Sequence, residues 1–138
     1  MLRSVAIGAL AIGGVGCASG PESGTVRPPA TVKLSVGGGA MIENAPWTVI
    51  FDSVISDSRC PIGVLCIHAG EALLALELAS PLADPLPHDS PHFTLGTTPV
   101  AIEGLRFTQV EVLPLPRQNV KIDPGSYQVT LKIEAVGG

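Results

Sequence analysis

Aromatic residues are scarce: three Phe, one Trp and one Tyr, 4% of 138 residues. Any core must therefore be built mainly from Val, Leu, Ile and Ala. Charged residues are sparse as well, at 14%, with a formal net charge of -4 at pH 7. Lys and Arg are scattered singly. They form no basic stripe for a nucleic acid and no polybasic patch for anionic lipid. No apolar run approaches the roughly 20 residues that a helix needs to span a bilayer. No segment carries a helical stripe of apolar side chains, and no internal repeat is visible. Gly37-Gly38-Gly39 is followed by neither G-K-[ST] nor a helix, so it is not a phosphate loop.

What the chain does contain is Gly (16), Pro (13) and 46% hydrophobic residues. That apolar fraction separates it from disordered sequences. The density of Gly and Pro breaks helices and suits short strands joined by turns. The length fits one domain with one core.

Met1-Leu2-Arg3 carries one positive charge, and the eleven residues from Val5 to Val15 are uncharged and mostly apolar. This fits the apolar region of a secretory signal, which runs about 7–15 residues. Gly14-Val15-Gly16-Cys17 follows and resembles the lipobox of bacterial lipoproteins, cut just before a lipidated cysteine. Val15 and Gly16 match that pattern; Gly14 stands where Leu is usual. The resemblance implies a signal peptide over 1–16 and acyl chains, palmitate among them, on Cys17. Each buried CH₂ contributes about 0.8 kcal/mol, so two or more chains hold a protein firmly to a membrane. Ala18 and Ser19, rather than Asp, come next, which by the same resemblance implies the outer membrane, with the domain facing the periplasm. Loss of residues 1–16 removes Arg3 and no acid, leaving a net charge near -5.

Residues 21–30 (PESGTVRPPA) combine Gly, Ser and three prolines, so residues 17–30 are expected to form a flexible tether and residues 31–138 the domain. Cys17 being assigned to lipid, Cys60 and Cys66 remain, in a compartment that permits disulfides. Pro61 and Gly63 between them suit a tight turn.

Alternation predicts strands. Val32, Leu34 and Val36 share one face, and Gly37-Gly38-Gly39 is expected to end that strand. Trp47, Val49 and Phe51 share the next, with a phase change near Val54 that suggests a bulge. The run 70–79 (GEALLALELA) has helix-forming composition, but Ala72, Leu74, Leu76 and Leu78 alternate with Glu71 and Glu77. A strand covered on both sides is predicted. Residues 81–91 read as an exposed proline-rich loop. Short strands are expected at 93–95 and 100–102, and a longer one at 105–113 with a phase shift between Phe107 and Val110. Tyr127, Val129, Leu131 and Ile133 form the clearest face. About six to eight such strands predict an all-β fold: a small antiparallel β-sandwich, immunoglobulin-like, with a small β-barrel as the alternative.

The densest cluster of unusual residues is Asp57-Ser58-Arg59-Cys60-Pro61, then Val64, Cys66, Ala69, Gly70 and Ala72. This D-S-R-C-P-x-x-V-x-C-x-x-A-G-x-A run resembles a group of uncharacterised small bacterial envelope lipoproteins over Phe51 to Leu78. The likeness extends weakly to the Leu-Pro-Leu-Pro stretch at 113–116 and to Tyr127–Ile133. His68 departs from the group, where Trp is common. The resemblance implies a disulfide hairpin between two strands and identifies a module without an activity. On the residues themselves, Asp57 and Ser58 suit hydrogen bonds to turn amides. Arg59 is placed to pair with Asp57 or Asp52, or to reach hairpin carbonyls. Gly70 permits close approach of the returning strand.

Three functional classes follow. Binding of an envelope protein partner, or a purely structural role, needs only the stapled hairpin and exposed loops. A copper or zinc site is the alternative, from Cys60, Cys66 and His68 in C-x5-C-x-H, with His88 and His92 as H-x3-H; the oxidising compartment disfavours it, and no cofactor is expected. Catalysis lacks a signature: Ser53, Ser56 and Ser58 lie near Asp57 and His68, but no G-x-S-x-G elbow singles out a nucleophile. The expectation is a non-enzymatic, lipid-anchored envelope protein.

Overall fold

Alternating side chains divide the chain between two sheets. The computed structural model describes residues 24–80 and 90–136. The signal segment, Cys17, the first part of the tether and His88 lie outside the described residues. Nine strands are present among those described: β1 (Thr25–Val26), β2 (Ala30–Ser35), β3 (Gly39–Ile42), β4 (Thr48–Asp57), β5 (Ala72–Ala79), β6 (His92–Leu95), β7 (Val100–Ile102), β8 (Leu105–Leu113) and β9 (Gln128–Ala135). One sheet has the order β1-β3-β4-β5-β6 and the other β2-β9-β8-β7. All pairings are antiparallel except β1 with β3. The protein is a small β-sandwich, and its two sheets are not closed into a barrel. Within each sheet most neighbours in space are neighbours in sequence: β3 to β6 form one meander, β7 to β9 another, and β2 returns beside β9.

The core is the aliphatic one that the composition dictates. Val49, Phe51, Leu74, Leu76, Leu78 and Leu95 from one sheet meet Leu34, Phe107, Val129, Leu131 and Ile133 from the other, all essentially buried. Two of the few aromatics touch across the layers: the rings of Phe93 and Phe107 lie 5.0 Å apart at 41°. In β5 the Ala72, Leu74, Leu76 and Leu78 face is buried, while Leu73, Ala75, Glu77 and Ala79 are half-buried. The second face is therefore less covered than the blurred alternation predicts. Burial between β4 and β6 overrides the helix propensity of this run.

Bulges resolve the phase changes. In β4 the register shifts between Phe51 and Ser53 and again between Val54 and Ser56. In β8 it shifts between Gln109 and Glu111, so that Phe107 and Val112 both face inward although five residues apart. The extra residue, Val110, is turned to solvent, as a bulge requires. A two-residue turn, Glu103-Gly104, joins β7 to β8 with φ of 51° and 74°, the left-handed pair that matches the twist of a hairpin.

Two sequence expectations are corrected. Gly37-Gly38-Gly39 does not only end a strand: Gly39 begins β3, where a Cβ would lie 2.8 Å from the Val49 carbonyl oxygen. The tether does not extend to residue 30. Thr25 and Val26 pair with Met41 and Ile42, and Ala30 already pairs with Ile133. A proline-rich composition hid these pairings, because one backbone edge suffices for an edge strand.

Candidate functional site

The motif residues gather at the end of the sandwich where β4 finishes. Asp57 is the last residue of β4, and the chain then turns through Ser58 and Arg59 into the loop 60–69 before returning as β5. Arg59 folds back so that its Nε and Nη2 donate to Oδ1 and Oδ2 of Asp57 at 2.8 and 2.7 Å. This planar fork is the geometry that guanidinium and carboxylate favour. The remaining donors cross to the other sheet: Nη1 donates to the Val112 carbonyl at 2.6 Å and Nη2 to the Pro114 carbonyl at 2.9 Å. Arg59 therefore reaches the end of β8, not the hairpin carbonyls, and it pairs with Asp57 rather than Asp52. Tyr127, just before β9, donates its hydroxyl to Asp57 Oδ2 at 3.0 Å. One carboxylate thus joins three chain segments.

The electrostatics follow from this geometry. The hydrogen-bonded Arg59 guanidinium holds the Asp57 carboxyl below the ordinary carboxylate range, against the opposing effect of burial. Burial pushes the Tyr127 phenol up, and its bond to the Asp57 carboxylate pushes it further the same way. Tyr127→Phe keeps the ring and removes the donor. Its expected cost is about 1 kcal/mol, read as a lower urea midpoint with an unchanged denaturant slope.

Ser58 anchors the second leg of the turn. Its N–H donates to the Glu71 carbonyl at 2.9 Å. Its hydroxyl donates to the same carbonyl and accepts from the Glu71 N–H, both at 3.1 Å. Gly70 lies against this contact so closely that a Cβ would overlap the Ser58 carbonyl. The Glu71 carboxylate accepts in turn from the N–H and hydroxyl of Thr97 at 2.8 and 3.1 Å. The depression beside Ser58, Gly70 and Thr97 is therefore lined by polar groups that satisfy one another. The Ser58 hydroxyl is committed to backbone on both sides, and this arrangement supplies it with no general base.

Cys60 and Cys66 are joined by a disulfide with their Cα atoms 5.9 Å apart. The two sulfurs are bonded to each other, so the soft thiolate pair that a copper or zinc site needs exists only after reduction. His68 and His92 are both exposed. Among the described residues, no cluster of three His, Cys, Asp or Glu side chains is placed to hold a metal ion. Beyond Cys60, Pro61 precedes a short bridge in which the Ile62 N–H donates to the Pro116 carbonyl at 2.9 Å. The loop is thus tied to the segment after β8. Replacing both Cys60 and Cys66 by Ser is expected to lower unfolding free energy by about 2 kcal/mol, the chain-entropy value for so short a loop, measured by urea denaturation.

Three residues outside the motif complete the site. Tyr127 reads in sequence as one more core position. Its signal was chemical: it is the single Tyr of the chain, and a buried phenol needs a partner. Glu71 reads only as the polar side of β5. Gln109, at the β8 bulge, spans the two sheets by donating from Nε2 to the carbonyls of Ala72 and Leu95 at 2.9 and 3.3 Å. Neither of the last two carries a local sequence signal.

The outer surface of the loop is of a different character. Leu65 and Ile67 are fully exposed, Ile62 is half exposed, and Leu115, which lines one surface depression with Ile62, is half exposed as well. Residues 60–69 (CPIGVLCIHA) contain no Asp, Glu, Lys or Arg. Compared with protein-family models, curated proteins and solved structures, the chain matches none.

Proposed function

We propose that this protein is a lipid-anchored bacterial envelope lipoprotein whose β-sandwich has a structural or partner-binding role and performs no catalysis. The observation that carries this reading is the stapled loop at the end of β4. Its polar side chains, Asp57, Ser58 and Arg59, are occupied in fastening it to β8 and to the residues just before β9 and β5. Its apolar side chains, Leu65 and Ile67, face solvent. A reacting site needs polar groups aimed at a substrate; this loop aims them inward and displays an uncharged apolar surface. The Gly14–Cys17 lipobox pattern supports anchorage through Cys17, and the 57–72 motif supports membership of the small lipoproteins that it resembles. Ala18 and Ser19 support the outer membrane, facing the periplasm.

The test is the intact mass and metal content of the protein isolated from membranes of a two-membrane bacterium without chelator. The expected mass begins at Cys17, includes a diacylglycerol group, and is two hydrogens below that of the form with reduced Cys60 and Cys66, with no bound metal. A soluble chain without acyl groups overturns the anchor. Free Cys60 and Cys66 with one equivalent of copper or zinc overturns the non-metal role.

A further inference from the structure

We infer that the stapled loop is a second membrane contact, seating Leu65 and Ile67 in the surface of the bilayer that carries the lipid anchor. This rests on the anchored-lipoprotein reading and names the partner of its displayed loop.

The first argument is direction and reach. β1 pairs parallel with β3, and β3 antiparallel with β4. The N-terminal end of β1 therefore points toward the Asp57 end of the sandwich, where the loop lies. By register Gly24 is level with Val49. That is roughly 20 Å short of the level of Asp57 at the usual rise of a strand, because the two bulged residues of β4 add no rise and the same distance on β5 runs only from Leu78 to Ala72. Gly24 lies seven residue steps after Cys17, an extended length of about 24 Å. The chain ahead of β1 is thus long enough to bring a lipidated Cys17 level with the loop end, and too short to hold the domain far from the bilayer.

The second argument is chemistry. Protein-binding hot spots are enriched in Trp, Tyr and Arg, with Leu and Val under-represented. The loop 60–69 holds none of the first three and no charge, only Pro, Ile, Gly, Val, Leu, Cys, His and Ala. Leu65 and Ile67 are covered by none of the described residues, yet the disulfide and the Arg59 network keep them presented, so little ordering is needed on contact. Two apolar side chains would bind a bilayer weakly from solution. A lipid at Cys17 converts the contact into an intramolecular one at high effective concentration.

The experiment uses full-length protein purified from membranes and reconstituted in dioleoylphosphatidylcholine vesicles, with and without bromine on the acyl chains. Wild type reports through Trp47, which adjoins the start of β4 at the opposite end of the sandwich; Leu65→Trp adds a reporter at the loop. The absence of free thiol verifies the fold of the variant. Expected is a blue shift and loss of most of the added emission in brominated vesicles, with Trp47 emission unchanged. Emission insensitive to bromine, in a chain whose mass shows acyl groups on Cys17, overturns the inference, leaves the anchor standing and returns the loop to a protein partner. A chain without acyl groups overturns both.

Discussion

Arg59→Met is expected to lower the unfolding free energy by about 2 kcal/mol, between the small contribution of an exposed ion pair and the larger loss when one member of a fully buried pair is removed. Exposed ion pairs contribute little, so exposure decides the estimate: the Arg59 and Asp57 side chains are only 16% and 13% accessible. The substitution keeps much of the apolar stem. It removes both guanidinium donors to Asp57 and leaves the Val112 and Pro114 carbonyls without the guanidinium that fills them. Urea denaturation at neutral pH checks it. The same pair makes stability depend on pH. Asp57 titrates below its ordinary value when folded, so its contribution is complete above the unfolded carboxyl pKa and is lost as pH falls through the folded one. Wild type should therefore lose stability more steeply on acidification than Arg59→Met, whose Asp57 lacks the guanidinium. Equal slopes would remove Asp57 as the origin. Tyr127 acts in the opposite window. Its raised phenol pKa gives a contribution that is complete below the unfolded value and fades as pH rises through the folded one.

Gly70→Ala is expected to cost about 3 kcal/mol, the upper range for overpacking. The nearest atoms it would meet are the carbonyl carbon and oxygen of Ser58, then its Oγ, and Ser58 is fixed by three hydrogen bonds to Glu71, one from its N–H and two through that Oγ. Moving the Oγ aside would not relieve the overlap, because the closest contacts are with backbone. Gly24→Ala is the matched control, since none of the described residues lies within 4 Å of its added Cβ; it should leave the urea midpoint nearly unchanged. A small effect at Gly70 would mean that the crossing of Ser58 over the start of β5 is looser than the geometry requires.

How much of this was legible depends on the range of each interaction. Alternation is a local signal, so β9 was plain in Val129, Leu131 and Ile133, and β5 could be read against its helix-forming composition. The bulge beside Val54 and the one at Val110 were visible as breaks in phase, because an extra residue flips every side chain after it; the further shift at Asp52 was not. Edge pairing was not visible. Thr25 and Val26 lie in a stretch of tether-like composition, and their two pairings with β3 rest on backbone groups that any residue supplies. The site divides the same way. Asp57 and Arg59 are two residues apart and their pairing was within reach of inspection. The carbonyls of Val112 and Pro114, and the hydroxyl of Tyr127, lie more than fifty residues away along the chain. They enter only when the two sheets stack. Gln109 carried no signal, because any polar residue at a bulge reads as solvent-facing.

The two-residue strand β1 has a mechanical consequence. Tension drawn through the residues ahead of Gly24 loads its few bonds first, Met41 N–H to the Gly24 carbonyl and Glu43 N–H to the Val26 carbonyl. Beyond it stands β2, paired with β9 over six residues from Ala30 to Ser35. Peeling β1 away frees residues 24–29, about 20 Å of slack, before any strain reaches the core. Under a load applied on that side, the molecule would lengthen by a fixed step while the sandwich stays folded.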